Sequence, residues 1–462
     1  MIDMRRHFSR RAKKFSRREF LKSSAAGTLI APAVFSKVWA NINSRYQGKC
    51  LVTLQLDGGA DVTQLCDPKI NITGERKINN WADWDEPRQA GNIFYAPIAD
   101  NERLFQKYGS DMLVINGVDA QTNSHETGRL FNWTGSNAEG KPSVSALHAA
   151  YQSPDQPLAY AVFGGTSRTS RLIGYNRFDN LGSLRTLCEP RFHFNSNQQK
   201  RGSEEFNRID RLVDNEVQRL LSNPSATARQ IQNLRNFEAA RENSASLKSL
   251  AKILPPSEEI MPHWSMTVES QELWSSIKEQ MQGALLIFKS GLGSAADVMI
   301  SGFDSHDNHD AIHEQLYLHL SDALDFFWDY AEELEIADRI LLVIGTDFGR
   351  TNFYNDGAGK DHWPIGSYII MARNAHWGNR VVGLTDELHF AKRMNPVNLT
   401  EDPNGIFITP AHVHKAIQKY LNLDQYAQAN GVELKSIESL PLFDPEPLSS
   451  NKPISFFQRN LR

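Results

Sequence analysis

The sequence predicts an α/β protein with a mainly parallel central sheet flanked by helices. Continuous runs of β-branched residues and leucine, such as residues 340–345, are typical of strands buried on both faces, as in a parallel sheet. Amphipathic helical stretches alternate with these runs along much of the chain. A hydrophobic content of 40% and a charged content of 23% are those of an ordinary globular protein.

The first forty residues are predicted to be an export signal that does not belong to the fold. Residues 16–22 (Ser-Arg-Arg-Glu-Phe-Leu-Lys) resemble the twin-arginine export motif, and an apolar stretch follows at 25–35. Val38-Trp-Ala40 then fits a small-residue cleavage site. A basic amphipathic surface helix is the alternative. The resemblance implies a passage through the twin-arginine translocase and a periplasmic or secreted mature protein.

The rest of the chain is expected to be a single domain over residues 41–462. The whole chain has a formal charge of -4, and residues 1–40 carry ten basic and two acidic side chains, so about -12 remains after their removal. An acidic mature protein argues against nucleic acid as a partner. The apolar stretch in the signal is shorter than the roughly 20 residues that a membrane-spanning helix needs, and the mature protein is not expected to span a membrane.

Strands are predicted at the apolar runs, and several of them end at an acidic residue. The predicted strands cover residues 50–56, 111–118, 158–163, 296–301, 340–345 and 367–372. Asp57, Asp304 and Asp347 follow three of these strands. Ligands of open α/β sheets bind outside the carboxyl ends of the strands. The alternative for Asp57 is a tight turn with solvent-facing aspartates, and the alternative for Asp347 is a helix cap.

Helices are predicted between the strands and in one insertion. Residues 203–254 are polar with apolar residues at helical spacing, which indicates a helical insertion or cap at about 200–256. Further helices are expected at 280–292, 312–334 and 410–421. His313 and His319 are interpreted as surface residues of the second of these. Cys50 is expected to be a small core residue, and a Cys66–Cys188 disulfide is left open.

Ser124 is predicted to start a helix directly after the strand at 111–118. A helix N-terminus offers free N–H groups and a positive dipole end, which suit an anion or a nucleophilic oxygen. The simpler interpretation makes Ser124 only the N-cap, and both can hold together.

Two further stretches carry most of the candidate metal ligands. Asp304, His306 and His309 lie within six residues after a strand, and His362 follows Asp347 and Arg350 by a short loop. Carboxylate oxygen and imidazole nitrogen together suit zinc, manganese or similar first-row metals.

The order of these motifs resembles the alkaline phosphatase superfamily, and within it the exported family known as domain of unknown function 1501. The motifs are Gly-Gly-Ala-Asp after the first strand, Phe-Asp-x-His, Asp-Phe-Gly-Arg and a following Asp-His, and they extend over most of residues 50–421. Residues 123–128 are also similar to the nucleophile turn of the cofactor-independent phosphoglycerate mutases. The resemblance implies a three-layer sandwich, with one or two divalent metal ions, zinc or manganese in the first place and calcium as an alternative.

The resemblance also implies roles for individual residues. One metal would be bound by Asp57, Ser124 and Asp347, and Ser124 would also be the nucleophile. The other metal would be bound by Asp304, His306 or His309, and His362. Arg350 or Arg129 would bind the free oxygens of a phosphoryl or sulfuryl group.

The chain departs from the superfamily pattern at two points. Superfamily phosphatases usually place the histidine four residues after the aspartate, where this chain has Asn308, and an Asp-His pair where it has Asp347-Phe348. The resemblance implies a metal-dependent hydrolase of anionic phosphate or sulfate esters. Because of these departures, the alternatives are a single-metal enzyme and a non-catalytic exported binding or assembly module on the same scaffold. The ester type and the oligomeric state stay open.

Overall fold

The computed structural model describes residues 45–444, with gaps at 166, 190–202, 224, 228–229, 232–233 and 235–245. The predicted export signal lies outside the described residues. From Tyr46 onward the described residues belong to one compact unit. Within the described part of the chain, no helix is both long enough and apolar enough to cross a bilayer.

The fold is α/β, as predicted. The strands are β1 (Cys50–Asp57), β2 (Arg88–Ala90), β3 (Ile93–Tyr95), β4 (Met112–Asp119), β5 (Tyr160–Val162), β6 (Asn176–Arg177), β7 (Trp264–Val268), β8 (Gln271–Ser275), β9 (Ala295–Ser301), β10 (Ile340–Thr346), β11 (Gly349–Arg350), β12 (His362–Trp363), β13 (Ile365–Met371) and β14 (Arg380–Val382). The helices are α1 (Asn101–Tyr108), α2 (His125–Thr134), α3 (Val144–Gln152), α4 (Leu181–Cys188), α5 (Ser203–Leu221), α6 (Ile277–Lys289), α7 (His309–Glu333), α8 (Pro410–Tyr420) and α9 (Asp424–Ala429). Each strand predicted from an apolar run is present, with ends shifted by at most two residues.

One eight-stranded sheet organises the unit, in the order β14-β4-β13-β10-β1-β9-β5-β6. Strand β1 pairs in parallel with both β10 and β9, which places it at the centre. Strand β13 pairs antiparallel with β10 and β4, so it alone runs against the others in this sheet. The sheet is therefore mainly parallel, and the carboxyl ends of β1, β9 and β10 meet at one edge.

The two faces of the sheet bury two different hydrophobic cores. In β10, Ile340, Leu342 and Ile344 face the larger core, whereas Leu341 and Val343 face the smaller one. The larger core is completed by α1, α4, α6 and α7, and the smaller by α3, α8 and α9. Because both faces are covered by helices, the strands read as continuous apolar runs without polar alternation. The arrangement has three layers.

Two expectations from the sequence change at this level. His313 and His319 lie on the buried face of α7, with 0% and 4% of their surface exposed, so their interpretation as surface residues is wrong. Helix α7 is packed on its neighbours along its length, and its histidines fall on the inner face. Cys50 is buried, as expected, and Cys66 and Cys188 are buried free thiols, so the disulfide left open from the sequence is absent.

Candidate metal centre

The candidate site lies at the carboxyl edge of the central strands, where five chain segments meet. Asp57 ends β1, Asp347 follows β10, and Asp304 lies three residues beyond β9. The other two segments are the start of α2 and the stretch that enters β12. The glycines after Asp57 make the close approach feasible: Gly58 has a φ of +112°, and a Cβ there would lie 2.5 Å from the Asp304 nitrogen.

Asp304 is the centre of the cluster. Its Oδ1 lies 3.0 Å from His306 Nε2 and 3.2 Å from His362 Nε2, and its Oδ2 lies 3.4 Å from His125 Nε2. Arg350 Nη2 donates to Oδ1 at 2.6 Å. Partial burial would raise the pKa of Asp304, but the hydrogen bond and charge of Arg350, together with the nearby imidazoles, lower it to about 2. Asp304 is therefore a permanent carboxylate at neutral pH.

The opposite ring nitrogen of each imidazole is held by an acceptor. His125 Nδ1 lies 2.6 Å from Asp347 Oδ2, His306 Nδ1 lies 2.8 Å from Asp361 Oδ1, and His362 Nδ1 lies 2.8 Å from the Asn123 carbonyl oxygen. Since Nδ1 carries a proton in each case, each ring in its neutral form presents its Nε2 lone pair to the cluster. This pattern of an acceptor behind a ligating histidine is common in metal sites.

These lone pairs face one another without a donor between them. His306 Nε2 and His362 Nε2 are 3.1 Å apart, and His125 Nε2 is buried with no hydrogen-bond partner among the described residues. One ligand atom each from His125, Asp304 and His362 lies within 4.8 Å of the others. Such a set of nitrogen and carboxylate donors fits a first-row divalent cation, and fits calcium less well because calcium prefers oxygen ligands.

Asp347 orients a ligand and does not itself lie in the cluster. Its Oδ1 accepts hydrogen bonds from the Gly58 and Gly59 amides at 3.1 and 2.9 Å, while its Oδ2 accepts one from His125 Nδ1. That hydrogen bond and the charge of Asp347 raise the pKa of His125. Gly128 permits this contact, because a Cβ there would lie 2.7 Å from the Asp347 carbonyl oxygen. Asp347 was predicted as a ligand, and the structure places it one hydrogen bond behind His125.

Asp57, a second predicted ligand, is paired with an arginine. Arg129 Nε donates to Oδ1 at 2.5 Å and Nη2 donates to Oδ2 at 2.9 Å, a bidentate pair. Burial and the neighbouring Asp347 raise the pKa of Asp57, and Arg129 opposes that rise. Arg129 keeps Nη1 without a partner among the described residues, and 36% of its side chain is exposed.

Arg350 does not match its predicted role as an anion-binding residue. It is completely buried, and besides Asp304 it donates to the Gly59 carbonyl at 2.8 Å, to the Lys360 carbonyl at 3.0 Å and to the Gly58 carbonyl. With its N–H groups directed at the backbone, it locks the turn after β1 to the loop before β12. Its contribution to the site is the position of Asp304.

His309 also leaves the predicted ligand set. It is fully buried, its Nε2 lies 2.9 Å from Asp61 Oδ2 and its Nδ1 lies 2.7 Å from Ser305 Oγ. Asp61 in turn accepts from Lys360 Nζ at 2.6 Å. Burial would raise the pKa of Asp61, but Lys360 and His309 hold it well below its usual range. This buried network lies beneath the cluster and fixes the loops that carry His306 and His362.

Ser124 lies at the N-terminus of α2 and is exposed. Its side chain makes no capping hydrogen bond, although its carbonyl accepts the Gly128 amide at 2.8 Å. The simpler interpretation, a side-chain N-cap, is therefore not what the structure has. The centroid of the Phe348 ring lies 4.7 Å from that of His125 and 4.6 Å from that of His362, so an apolar ring stands where the superfamily pattern would put an imidazole.

Sequence reasoning missed three contributors to this site: His125, Asp361 and the Asp61–Lys360 pair. His125 is adjacent to Ser124 and three residues from Gly128, a spacing that puts it on the packed face of α2. Asp361 stands directly before His362 and was read only as part of the Asp-His motif. Asp61 is the last residue of the Gly-Gly-Ala-Asp motif, but its burial is set by tertiary packing.

The fold and the site define an α/β protein with an aspartate–histidine cluster at the carboxyl edge of a mainly parallel sheet. The chain belongs to the family described as "Protein of unknown function (DUF1501)", whose model matches residues 48–417. The family that the motifs suggested from the sequence is thus confirmed. A comparison with curated proteins finds no match.

Solved structures with a similar chain course include a sulfatase and an alkaline phosphatase. A Bacteroides thetaiotaomicron protein, described in connection with the metabolism of multiple glycosaminoglycans, is similar at 7% identity and a TM-score of 0.39, covering 87% of this chain and 78% of that one. The PsFucS1 sulfatase from Pseudoalteromonas sp. is similar at 10% identity and 0.33, covering 76% and 69%. Alkaline phosphatase from the Antarctic bacterium TAB5 is similar at 9% identity and 0.30, covering 72% and 94%.

Proposed function

We propose that this protein is a metal-dependent hydrolase of phosphate or sulfate esters. The observation that carries the proposal is the convergence of three imidazole Nε2 atoms, from His125, His306 and His362, on the carboxylate of Asp304. In their neutral forms the three rings offer one another no Nε2 donor, and a divalent cation held by His125, Asp304 and His362 would take the place of that donor. The ester class comes from the motif resemblance and from the cationic side chain beside the cluster.

Arg129 of α2 and Ser124, which directly precedes that helix, supply the remaining chemistry. His125, Asp304 and His362 would hold a first-row ion, which would supply Lewis acidity toward the ester oxygens. Arg129 Nη1 is directed away from Asp57 and is available for a non-bridging oxygen of the substrate. Attack of the Ser124 oxygen on phosphorus or sulfur displaces the alcohol, which takes up the serine proton, and water then hydrolyses the serine ester.

The metal part of the proposal is tested by elemental analysis of the purified protein and of His362→Ala. His362 gives one nitrogen to the cluster, so its removal should lower the bound zinc or manganese at equal free metal by at least tenfold. His263→Ala is the matched control, because His263 pairs with Glu279 and 45% of its side chain is exposed. Equal metal content in the wild type and His362→Ala would refute the assignment.

The catalytic part is tested at Ser124 with aryl phosphates and aryl sulfates. Ser124→Ala and Ser124→Asn should both fold and bind metal, and both should lose hydrolysis by orders of magnitude, because neither side chain can attack as an alkoxide. Full activity of the asparagine variant would remove Ser124 as the nucleophile.

A second candidate function, a non-catalytic exported binding module, is favoured by one observation. Both oxygens of Asp57 are occupied by Arg129, so a carboxylate expected to hold metal is neutralised by the chain itself. A metal-loaded wild type that hydrolyses neither class of ester would support this module.

We further propose that the protein acts outside the cytoplasm after passage through the twin-arginine translocase. The support is the Arg17-Arg18 pair in the segment 16–22. Replacing both arginines by lysine should retain the precursor in the cytoplasm, as measured by fractionation, and normal export of that double variant would contradict the proposal.

A further inference from the structure

Two aspartates stand side by side at the candidate site, and the chain neutralises one of them with its own cation. Strands β1 and β10 are parallel neighbours in which Leu56 pairs with Thr346, so Asp57 and Asp347 emerge next to each other. Their side chains are 13% and 0% exposed. Like charges this close and this well buried repel strongly unless a cation lies between or beside them. Arg129 is that cation.

Every oxygen of the two carboxylates already has a donor. Arg129 donates hydrogen bonds to both oxygens of Asp57. The Gly58 and Gly59 amides donate to Oδ1 of Asp347, and His125 donates to its Oδ2. Because the guanidinium does not deprotonate at any relevant pH, its charge at this position is permanent.

We infer that Arg129 occupies the place of a second metal ion, so that the protein binds a single divalent ion, at the Asp304 cluster. This inference rests on the proposed metal-dependent function. The Asp304 cluster fits a cation, because its side chains present unpaired lone pairs. The pair of Asp57 and Asp347 does not, because hydrogen-bond donors already occupy its oxygens. The motif resemblance allowed one or two ions, and the contacts of Asp57 decide for one.

A consequence is that the pair of Asp57 and Asp347 would bind a second ion if Arg129 were replaced by a neutral residue. Removing the guanidinium leaves both oxygens of Asp57 without a donor, next to the carboxylate of Asp347. Oxygen donors of this kind bind manganese. A neutral side chain at position 129 should therefore convert a one-ion protein into a two-ion protein.

The experiment measures the stoichiometry of manganese binding by calorimetry and by elemental analysis after gel filtration, using the full mature chain stripped of metal. The wild type should bind one ion and Arg129→Met should bind two, the second more weakly. Arg129→Lys, which keeps the charge, should bind one. Asp57→Asn combined with Arg129→Met removes the freed carboxylate and should return the count to one, and His362→Ala combined with Arg129→Met should lose the tighter ion. Arg129→Gln replaces Arg129→Met if the methionine variant does not fold.

The outcomes separate this inference from the proposed function. Two ions in the wild type, or one ion in both the wild type and the neutral variants, would overturn the role of Arg129 and leave the metal centre at Asp304 intact. No ion in the wild type would overturn the metal centre and this inference together. One ion in the wild type and two in Arg129→Met, with the count restored by Asp57→Asn, would establish it.

Discussion

The buried pair of Asp61 and Lys360 gives the sharpest stability prediction. Both side chains are fully buried, and Lys360 Nζ lies 2.6 Å from Asp61 Oδ2. Replacing Lys360 by Met keeps an unbranched side chain but leaves the carboxylate without its cation. Breaking a buried pair in this way costs about 3–5 kcal/mol. Asp61 keeps donors from the Thr63 amide, the Thr63 hydroxyl and His309 at 2.9, 2.7 and 2.9 Å. We therefore expect the lower end, about 3 kcal/mol.

The pH dependence follows from the pKa of Asp61. In the wild type that pKa lies well below its usual range, so the stabilisation is fully present above the unfolded-state value of about 3.9 and is lost as the pH falls through the folded-state pKa. Without Lys360 the pKa of Asp61 rises. The deficit of Lys360→Met should therefore be largest at neutral pH and smaller at pH 4, because protonation then relieves the unpaired charge.

The assay is urea unfolding at pH 7 and pH 4, followed by tryptophan fluorescence. Lys77→Met is the matched control, because Lys77 pairs with Asp83 at the surface with 45% and 43% of the two side chains exposed, and a pair of this kind contributes about 1 kcal/mol or less. Adding Asp61→Asn to Lys360→Met removes the orphaned charge and should recover at least half of the loss. A decrease of less than about 1 kcal/mol in the free energy of unfolding for Lys360→Met at pH 7 would refute the reasoning, because removing the cation from a desolvated carboxylate should destabilise the folded state by more than that.

Three further predictions concern the site and the sheet. Asp347→Asn should weaken metal binding by about 10–100-fold, measured by calorimetry, because Asp347 fixes the ring of His125; unchanged affinity would contradict that role. Ser124→Ala should change the free energy of unfolding by less than about 0.5 kcal/mol, since the hydroxyl caps no amide, whereas a side-chain cap would cost about 1 kcal/mol. Burial raises the pKa of Asp297 in β9 to about 6, so its folded state favours the proton; stability from this group is present below about pH 4 and is lost as the pH rises through 6. Asp297→Asn should therefore gain up to about 3 kcal/mol relative to the wild type between pH 4 and pH 8 in urea unfolding, and parallel pH profiles of the two proteins would rule this out.

The sequence was sufficient to predict where the site lies. A strand buried on both faces has an unmistakable apolar run, and the first polar residues after it must emerge at the carboxyl edge. Asp57, Asp304 and Asp347 were located by this logic, and the family motifs point to the same positions. His362 lies in the cluster because its loop returns to that edge.

The sequence could not show which way individual side chains point. His306 and His309 are three residues apart, but only His306 precedes α7, whereas His309 begins the helix and joins His313 on its inner face. Arg350 follows a glycine, and a pattern of letters cannot distinguish an exposed guanidinium from one turned into the backbone. His125 depends on how closely α2 approaches Asp347, which is a matter of packing at Gly128.

The buried guanidinium of Arg350 has a consequence for the order of events during folding. It ties carbonyl oxygens at positions 58, 59 and 360 to a carboxylate at 304, segments that are separated by up to 302 positions along the chain. Loops of that length close late, because the conformational entropy lost on closure is offset only once the native contacts have formed. A ribosome-bound chain that stops short of position 360 lacks part of this set of hydrogen bonds and also lacks His362. Metal binding at the full cluster would thus require that the chain has been synthesised through residue 362 and that these loops have closed.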